Sequence, residues 1–392
     1  MLRFGMSSEG DAIAGSTHSA RYFELIDEVL LAEKVGFDMF GTSEQHFAIG
    51  EATVSAPEVL YPYLMALTSR ITFMHKSSVM LTRVNHPLRI AERIATEDIL
   101  SHGRIELCAA RGNTTLMMRA FEVAPDETRS QLEEGIDLVR AAFLHAPFSF
   151  IGKHYKVPPR TLVPHPVQKP HPPLHVTATG EDSCRMAGRK GIGVLTFSNF
   201  LGFDALAKSF RIYDEAFDAA EHGFPTTRRR GGLVFAYHCA ETTEQARKEI
   251  KPLVETSIMA TGAYQKLAEL SKDYAYMGTL RNNSAGFDDF DYLLEHSAGF
   301  IAGDPDECAR QLAKYVDAGA EDIWLRIDTL PHEKLMKSIE LTGKYVLPRV
   351  KSPEQIVQHH DTVLAAIRAR RPKHEAALAA FLSQSETATE SG

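Results

Sequence analysis

The 392-residue chain is 44% hydrophobic and 24% charged, enough apolar content for a packed core. Its length exceeds that of most single domains but is ordinary for a decorated (β/α)8 barrel. The formal net charge of −8 argues against nonspecific binding to nucleic acid or an anionic membrane, since either polyanion would repel the chain.

Short apolar strands alternate with amphipathic helices. Leu2–Met6 reads as a first strand, entered directly from Met1 with no basic n-region or apolar h-region before it. A helix from about Ser19 to Lys34 ends at Gly36, and Phe37–Thr42 follows as a second strand. Pro57–Ser69 reads as helical, Ile71–Leu81 contains a third strand, and Pro87–Leu100 is a helix with proline in its first turn. Ser101-His102-Gly103-Arg104 stops that helix, Ile105–Ala109 is a fourth strand, and Thr128–Leu144 is helical again. Phe148–Val157 reads as a β-hairpin excursion. Leu174–Ala178, Gly193–Thr196, Leu233–Cys239 and Asp322–Ile327 complete a set of eight strands. Eight strands, most followed by a helix, predict an α/β fold, a closed (β/α)8 or TIM barrel over residues 1–350.

Two segments break the rhythm. Residues from about Ala260 to Gly299 form a long insertion, which in a compact domain is a lid or a disordered loop. Beyond residue 350 a helical extension, from about Pro353 to Phe381, gives way to a polar tail over 383–392 expected to be disordered. Gly188-Arg189-Lys190-Gly191 precedes a strand rather than following one, so its expected job is to end a helix. The four cysteines are scattered without a CxxC pair and read as small buried hydrophobes in a reducing compartment. No apolar run approaches a membrane span, and the expected location is cytoplasmic.

Three places can carry chemistry. Glu44, Gln45 and His46 follow the second strand, where a barrel gathers its reactive side chains. His46 suits proton transfer, or is a histidine satisfied by a neighbouring helix. Arg111 follows the fourth strand beside Gly112 and suits a phosphate, or pairs at the surface with a carboxylate such as Glu122. The fifth strand runs through Ala178-Thr179-Gly180 into a helix whose free N–H groups suit an anion, unless Asp182 or Ser183 caps them. His75, His86 and the pair His359-His360 have weaker claims. The first strand carries Phe4-Gly5-Met6 rather than the His-x-His of barrel metal hydrolases, so no catalytic metal is expected.

Three blocks resemble the bacterial luciferase-like, flavin-dependent monooxygenases, and the luciferase alpha chain in particular. They are Gly36–Phe47; the run Val79, His86-Pro87-Leu88-Arg89, Gly103-Arg104, Arg111-Gly112 to Arg129; and Ala302–Cys308 with the strand Asp322–Ile327. The resemblance implies a barrel that binds reduced FMN (FMNH2) at its C-terminal rim. It also implies O2 and a flavin-peroxide intermediate, with one oxygen atom passed to a small organic substrate. Carried over, Arg111, Arg129, Gly180 and Ser183 would hold the 5′-phosphate, with Asn113 nearby. Glu44, Ala178 and Thr179 would lie near the ring or ribityl chain, and Ser78-Val79 would supply a non-prolyl cis peptide beneath it. Residues from about Ser271 to Tyr292 would be the mobile lid. An NAD(P)H:flavin reductase as FMNH2 supplier and a homodimer built through the early helices are further expectations of the family.

This chain departs from luciferase at three positions. Gln45 stands where the catalytic histidine would be, Ala110 at the reactive cysteine, and Ser198 at a flavin-flanking tryptophan. Oxygenation of another substrate, with His46 handling protons, therefore fits better than light emission, and the neutral rim residues Thr42, Thr114 and Asn199 point to a neutral or weakly polar organic molecule. The alternatives are an F420-dependent oxidoreductase, for whose polyglutamate tail Arg228-Arg229-Arg230 is the available basic cluster, and a noncatalytic flavin-storage or partner subunit.

Overall fold

Eight parallel strands close into a barrel in the order β1 (Arg3–Ser7), β12 (Asp322–Arg326), β9 (Arg230–Val234), β8 (Gly193–Thr196), β7 (Leu174–Ala178), β4 (Ile105–Ala110), β3 (Thr72–Val79) and β2 (Met39–Ser43). The computed structural model describes residues 1–13, 15–47, 52–197, 201–274 and 289–351, with the backbone alone for 256–267 and 273. The expected helical extension, the polar tail, His359-His360, Ser198 and Asn199 lie outside the described residues, as does most of the segment expected to be a lid.

The connecting helices start and stop where local chemistry dictates. In α1 (His18–Val35) the Thr17 hydroxyl accepts the Ala20 N–H, and Gly36, at φ 105°, takes the left-handed turn that ends the helix. Both α2 (Pro57–Leu67) and α3 (Pro87–Leu100) begin on proline, whose missing N–H costs nothing in the first turn. Next come α4 (Thr115–Ala120), α5 (Thr128–Leu144) and the antiparallel hairpin of β5 (Phe148–Ile151) and β6 (Lys156–Arg160). The helix after β7, α6 (Glu181–Arg189), closes through Gly191 at φ 62°, so the Gly188–Gly191 segment ends a helix as expected.

The barrel interior is filled by Met39, Met74, Cys108, Leu195, Leu233 and Trp324, from six different strands. Gly5 and Gly41 make the room: a Cβ on Gly5 would lie 2.4 Å from the Trp324 ring, and one on Gly41 2.8 Å from it. The N-terminal mouth is closed by charge. Arg3 spans the interior from Asp322 (2.8 Å) to Glu106 (2.5 Å), and His175 bonds Glu106 at 2.9 Å. Although burial alone would raise it, Arg3 and His175 hold the Glu106 carboxyl down at about 2.

Two expectations are corrected. The run Leu233–Cys239 is not one strand. Arg230–Val234 belongs to the barrel, while β10 (Ala236–Cys239) leaves it and pairs with β11 (Phe300–Gly303) in a separate two-stranded parallel sheet. The run is apolar throughout, so nothing in its periodicity marks the break. The insertion from residue 260 is not a loop at its start either. After α7 (Phe203–Asp218), the helix α8 (Thr243–Leu270) runs into it as far as Leu270, and α9 (Phe290–His296) precedes β11. Beyond β11 lie α10 (Pro305–Asp317), α11 (His332–Leu341), a π-helical turn at Thr342–Val346, and α12 (Leu347–Val350).

Candidate active site

The C-terminal rim collects Glu44 and His46 into one bonded unit. Glu44 Oε1 meets His46 Nε2 at 2.6 Å and accepts from Asn85 Nδ2 at 2.7 Å, while Oε2 accepts the Val79 N–H at 3.0 Å. Glu44 thus ties the tip of β3 to the tip of β2 and fixes the imidazole. Asn85 is itself held by Arg93 (2.9 Å), and His46 stands edge-on to Phe121, 5.0 Å between centroids. His46 is therefore oriented by a carboxylate from its own loop, not satisfied by a helix side chain. Gln45 does not join this unit: its amide donates to Glu9 Oε2 at 2.6 Å. The Ser78–Val79 bond is not among the cis peptides, which in the described residues are Ala146-Pro147, Val163-Pro164 and Lys169-Pro170. That expectation is corrected. The irregularity of β3 is instead a register shift between His75 and Ser78, against both neighbouring strands.

On the other side of the rim, β4 and β7 are hydrogen-bonded neighbours, with Ala109 opposite Val176, so Arg111 and the Ala178–Gly180 turn share one edge of the mouth. The Arg111 guanidinium lies 4.1 Å from the centre of the Tyr274 ring. The Tyr274 hydroxyl donates to Gly112 O (3.1 Å) and bonds Thr128 Oγ1 (3.0 Å), drawing the start of α5, and with it Arg129, towards the β4 tip. At α6 the N-cap residue is Gly180, with no side-chain cap, so neither Asp182 nor Ser183 consumes the end of the helix. Ala178 is buried, Thr179 and Ser183 are half-buried, and Asn113 is exposed.

Of the carboxylates that could pair with Arg111 at the surface, Glu122 is bonded by Arg83 instead, at 2.7 Å. His75 bonds Glu97 at 2.7 Å in the barrel wall, and His86 caps α3 by accepting the Leu88 N–H; both are structural. All four cysteines are buried and free, and burial raises the Cys184 thiol to about 12. The basic triplet lies at the other end of the barrel, since Arg230 begins β9. Arg228 is engaged by Asp214 and Asp218, Arg229 by Asp322, and Arg230 by Glu321 and Asp214.

A third group at the rim is not anticipated from sequence. Lys76 is fully buried on β3, bonded to Ser7 Oγ (2.6 Å) and Glu9 Oε1 (3.1 Å). Arg326, at the end of β12, bonds Asp11 Oδ2 at 2.6 Å. The two oxygens of Asp328 accept the Glu9 and Asp11 N–H groups at 2.6 and 3.1 Å. Although burial opposes it, Lys76 and Arg326 hold the Glu9 carboxyl down at about 2. The available signal is a lysine in mid-strand and an arginine closing a strand, where an apolar barrel wall has no place for charge.

The comparisons with known proteins agree with this architecture. The luciferase-like monooxygenase family matches residues 2–322. The chain is 25% identical over 364 residues to an F420-dependent glucose-6-phosphate dehydrogenase of Microbacterium testaceum, covering 89% of this chain and 98% of that one. It is 27% identical over 194 residues to the uncharacterized protein y4wF of Sinorhizobium fredii, of which the match spans about half, 55%, and 49% of this chain. Among solved structures, the FMN complex of the oxygenating constituent of 3,6-diketocamphane monooxygenase from Pseudomonas putida superposes with a TM-score of 0.69. It is 20% identical, over 90% of this chain and 99% of that one. With eight parallel strands, a polar C-terminal rim and a family match running from the first strand into the last, the chain belongs to the luciferase-like monooxygenases.

Proposed function

We propose that this chain is an oxidoreductase that binds reduced FMN at the C-terminal rim and uses O2 to oxygenate a small, neutral organic substrate. The observation carrying this reading is the edge shared by Arg111 and the uncapped start of α6. A cationic fork and free helix N–H groups on neighbouring strand tips fit a terminal phosphate. Arg129, Gly180 and Ser183 would complete that cradle, with Asn113 beside it; Ser78, Val79, Ala178 and Thr179 would border the rest of the cofactor. Bound there, the reduced flavin supplies the electrons that activate oxygen. Glu44 would fix the His46 ring, and His46 would hold or release a proton at Nδ1, the ring nitrogen that Glu44 does not bond. Gln45, turned to Glu9, would act only by shaping that side of the rim. A separate NAD(P)H:flavin reductase would deliver the reduced flavin.

The second reading is F420-dependent oxidation, favoured by the relative that matches nearly end to end. Against it, the basic triplet lies at the N-terminal end of the barrel, away from the rim. Anaerobic titration with reduced FMN, and separately with F420, decides between them. Tight binding of reduced FMN with slow reoxidation in air supports the first; binding of F420 alone overturns it; binding of flavin with no turnover of any substrate would mean storage. We further propose a homodimer through α2, which exposes Val59, Tyr63 and Leu67 (70%, 53% and 48%) as an apolar stripe at helical spacing. Light scattering on the full chain should give twice the monomer mass, and the monomer mass for Leu67→Glu. Among the described residues, no helix is long and apolar enough to cross a membrane.

A further inference from the structure

The arginine at the tip of β4 is held by a residue from far along the chain. Tyr274 ends the short 3-10 turn Lys272–Tyr274 that follows α8, 163 residues beyond Arg111. It is fully buried, packed among Val79, Leu81, Met117, Met118 and Val123. The Arg111 guanidinium lies 4.1 Å from the centre of its ring, and its hydroxyl reaches Gly112 O at 3.1 Å and Thr128 Oγ1 at 3.0 Å. One side chain therefore touches both the tip of β4 and the start of α5, the two places that carry Arg111 and Arg129. Ser271, from the same segment, adds a second tie by bonding Asp126 Oδ1 at 2.5 Å. The backbone beside Arg111 is fixed as well: Gly112 stands at φ 72°, and a Cβ there would lie 2.1 Å from the Met117 side chain. Arg111 itself is half-buried, so a ligand at the mouth can reach it.

We propose that Tyr274 is a positioning residue for the cofactor phosphate, acting through Arg111: its ring presets the guanidinium, and its hydroxyl sets the spacing between Arg111 and Arg129. This rests on the phosphate cradle proposed above. With the backbone fixed by Gly112, the freedom left to Arg111 is that of its own long side chain, and an ordered ring against the guanidinium removes much of it before the ligand arrives. An aromatic ring suits this task better than a carboxylate. Stacking engages the face of a guanidinium, whereas its N–H donors point outward in its plane. The ring thus orients the fork without consuming a donor, and without cancelling the charge that a phosphate seeks. Because Tyr274 is fully buried, it presents no surface to the rest of the cofactor, and its effect is confined to the part of the affinity that the phosphate supplies.

The test compares two ligands that differ only in the phosphate. The full chain is titrated anaerobically with reduced FMN and with reduced riboflavin, and the ratio of the two dissociation constants is the readout. Wild type should bind reduced FMN the more tightly; equal binding of both flavins would remove the phosphate cradle itself, and this inference with it. Given that preference, Tyr274→Leu should lower the ratio about fivefold, the scale of a half-buried cation–π contact, and leave the affinity for reduced riboflavin unchanged. Tyr274→Phe keeps the ring and should recover most of the ratio. In the double variant with Arg111→Ala, Tyr274→Leu should add nothing to the loss caused by Arg111→Ala, since the tyrosine acts through that arginine. Tyr274→Met, which fills more of the space, serves if Tyr274→Leu does not fold. An unchanged ratio, equal losses for both flavins, no recovery in Tyr274→Phe, or additive losses in the double variant would each overturn the proposal while leaving the wild-type preference for FMN standing.

Discussion

Glu106→Gln should destabilise the barrel by about 3 kcal/mol at neutral pH without touching the rim. The side chain is 6% exposed and sits between Arg3 and His175 at the N-terminal mouth. Its carboxyl titrates at about 2 against 4.5 for an ordinary glutamate. At about 1.4 kcal/mol for each tenfold change in proton affinity, that gap contributes about 3 kcal/mol. The pH dependence fixes the sign. A carboxyl whose folded value is depressed adds its full stability above 4.5, and the contribution is lost as the pH falls through 2. Glutamine keeps the shape but not the charge, and Arg3 keeps Asp322 as a partner, so the loss should sit at the lower edge of what breaking a buried pair costs. Urea unfolding can be followed by emission from Trp324, the single tryptophan, which is fully buried inside the same barrel. Between neutral pH and about pH 3 the difference between variant and wild type should shrink towards zero. A loss below about 1 kcal/mol at neutral pH, or one that does not change with pH, would refute the assignment of this network as an ionic closure.

Other substitutions probe the rim and the packing beneath it. Arg111→Ala should weaken binding of reduced FMN by about 2 kcal/mol, roughly thirtyfold, by equilibrium titration; unchanged affinity would remove Arg111 from the phosphate site. His46→Ala should lower turnover with flavin affinity nearly intact, whereas equal losses in both would make His46 structural. Glu44→Ala leaves the Val79 N–H, Asn85 and His46 without their shared acceptor, so thermal stability should fall by about 2 kcal/mol together with turnover. Gly5→Ala sets a methyl 2.4 Å from the Trp324 ring and should cost about 1–3 kcal/mol, with a changed Trp324 emission spectrum in the folded state.

Much of the architecture was legible locally. Pro87–Leu100, Thr128–Leu144, Leu174–Ala178 and Gly193–Thr196 have the bounds that caps, prolines and apolar runs indicate. The polar triplet after β2 and the arginine after β4 stood out because charge follows an apolar strand at the end where barrels do chemistry. What stayed hidden depended on partners far along the chain. The departure of β10 from the barrel follows from pairing with Phe300–Gly303, more than sixty residues later, and no local period encodes that choice. The basic triplet looked like a ligand-binding cluster until the start of β9 placed it at the opposite mouth, beside Asp322.

The sequence by itself determined a parallel barrel, its family, and two of the three polar groups at its rim, because strand periodicity, helix caps and charge after a strand are short-range signals. Only the tertiary structure decided which of those groups act together. It turned Gln45 to Glu9, joined Glu44 to His46 and Val79, and left Asp11 with one oxygen unpaired among the described residues. Proton affinity and orientation depend on burial and on neighbours from other strands, and barrel closure brings β1 against β12 across more than three hundred residues of chain.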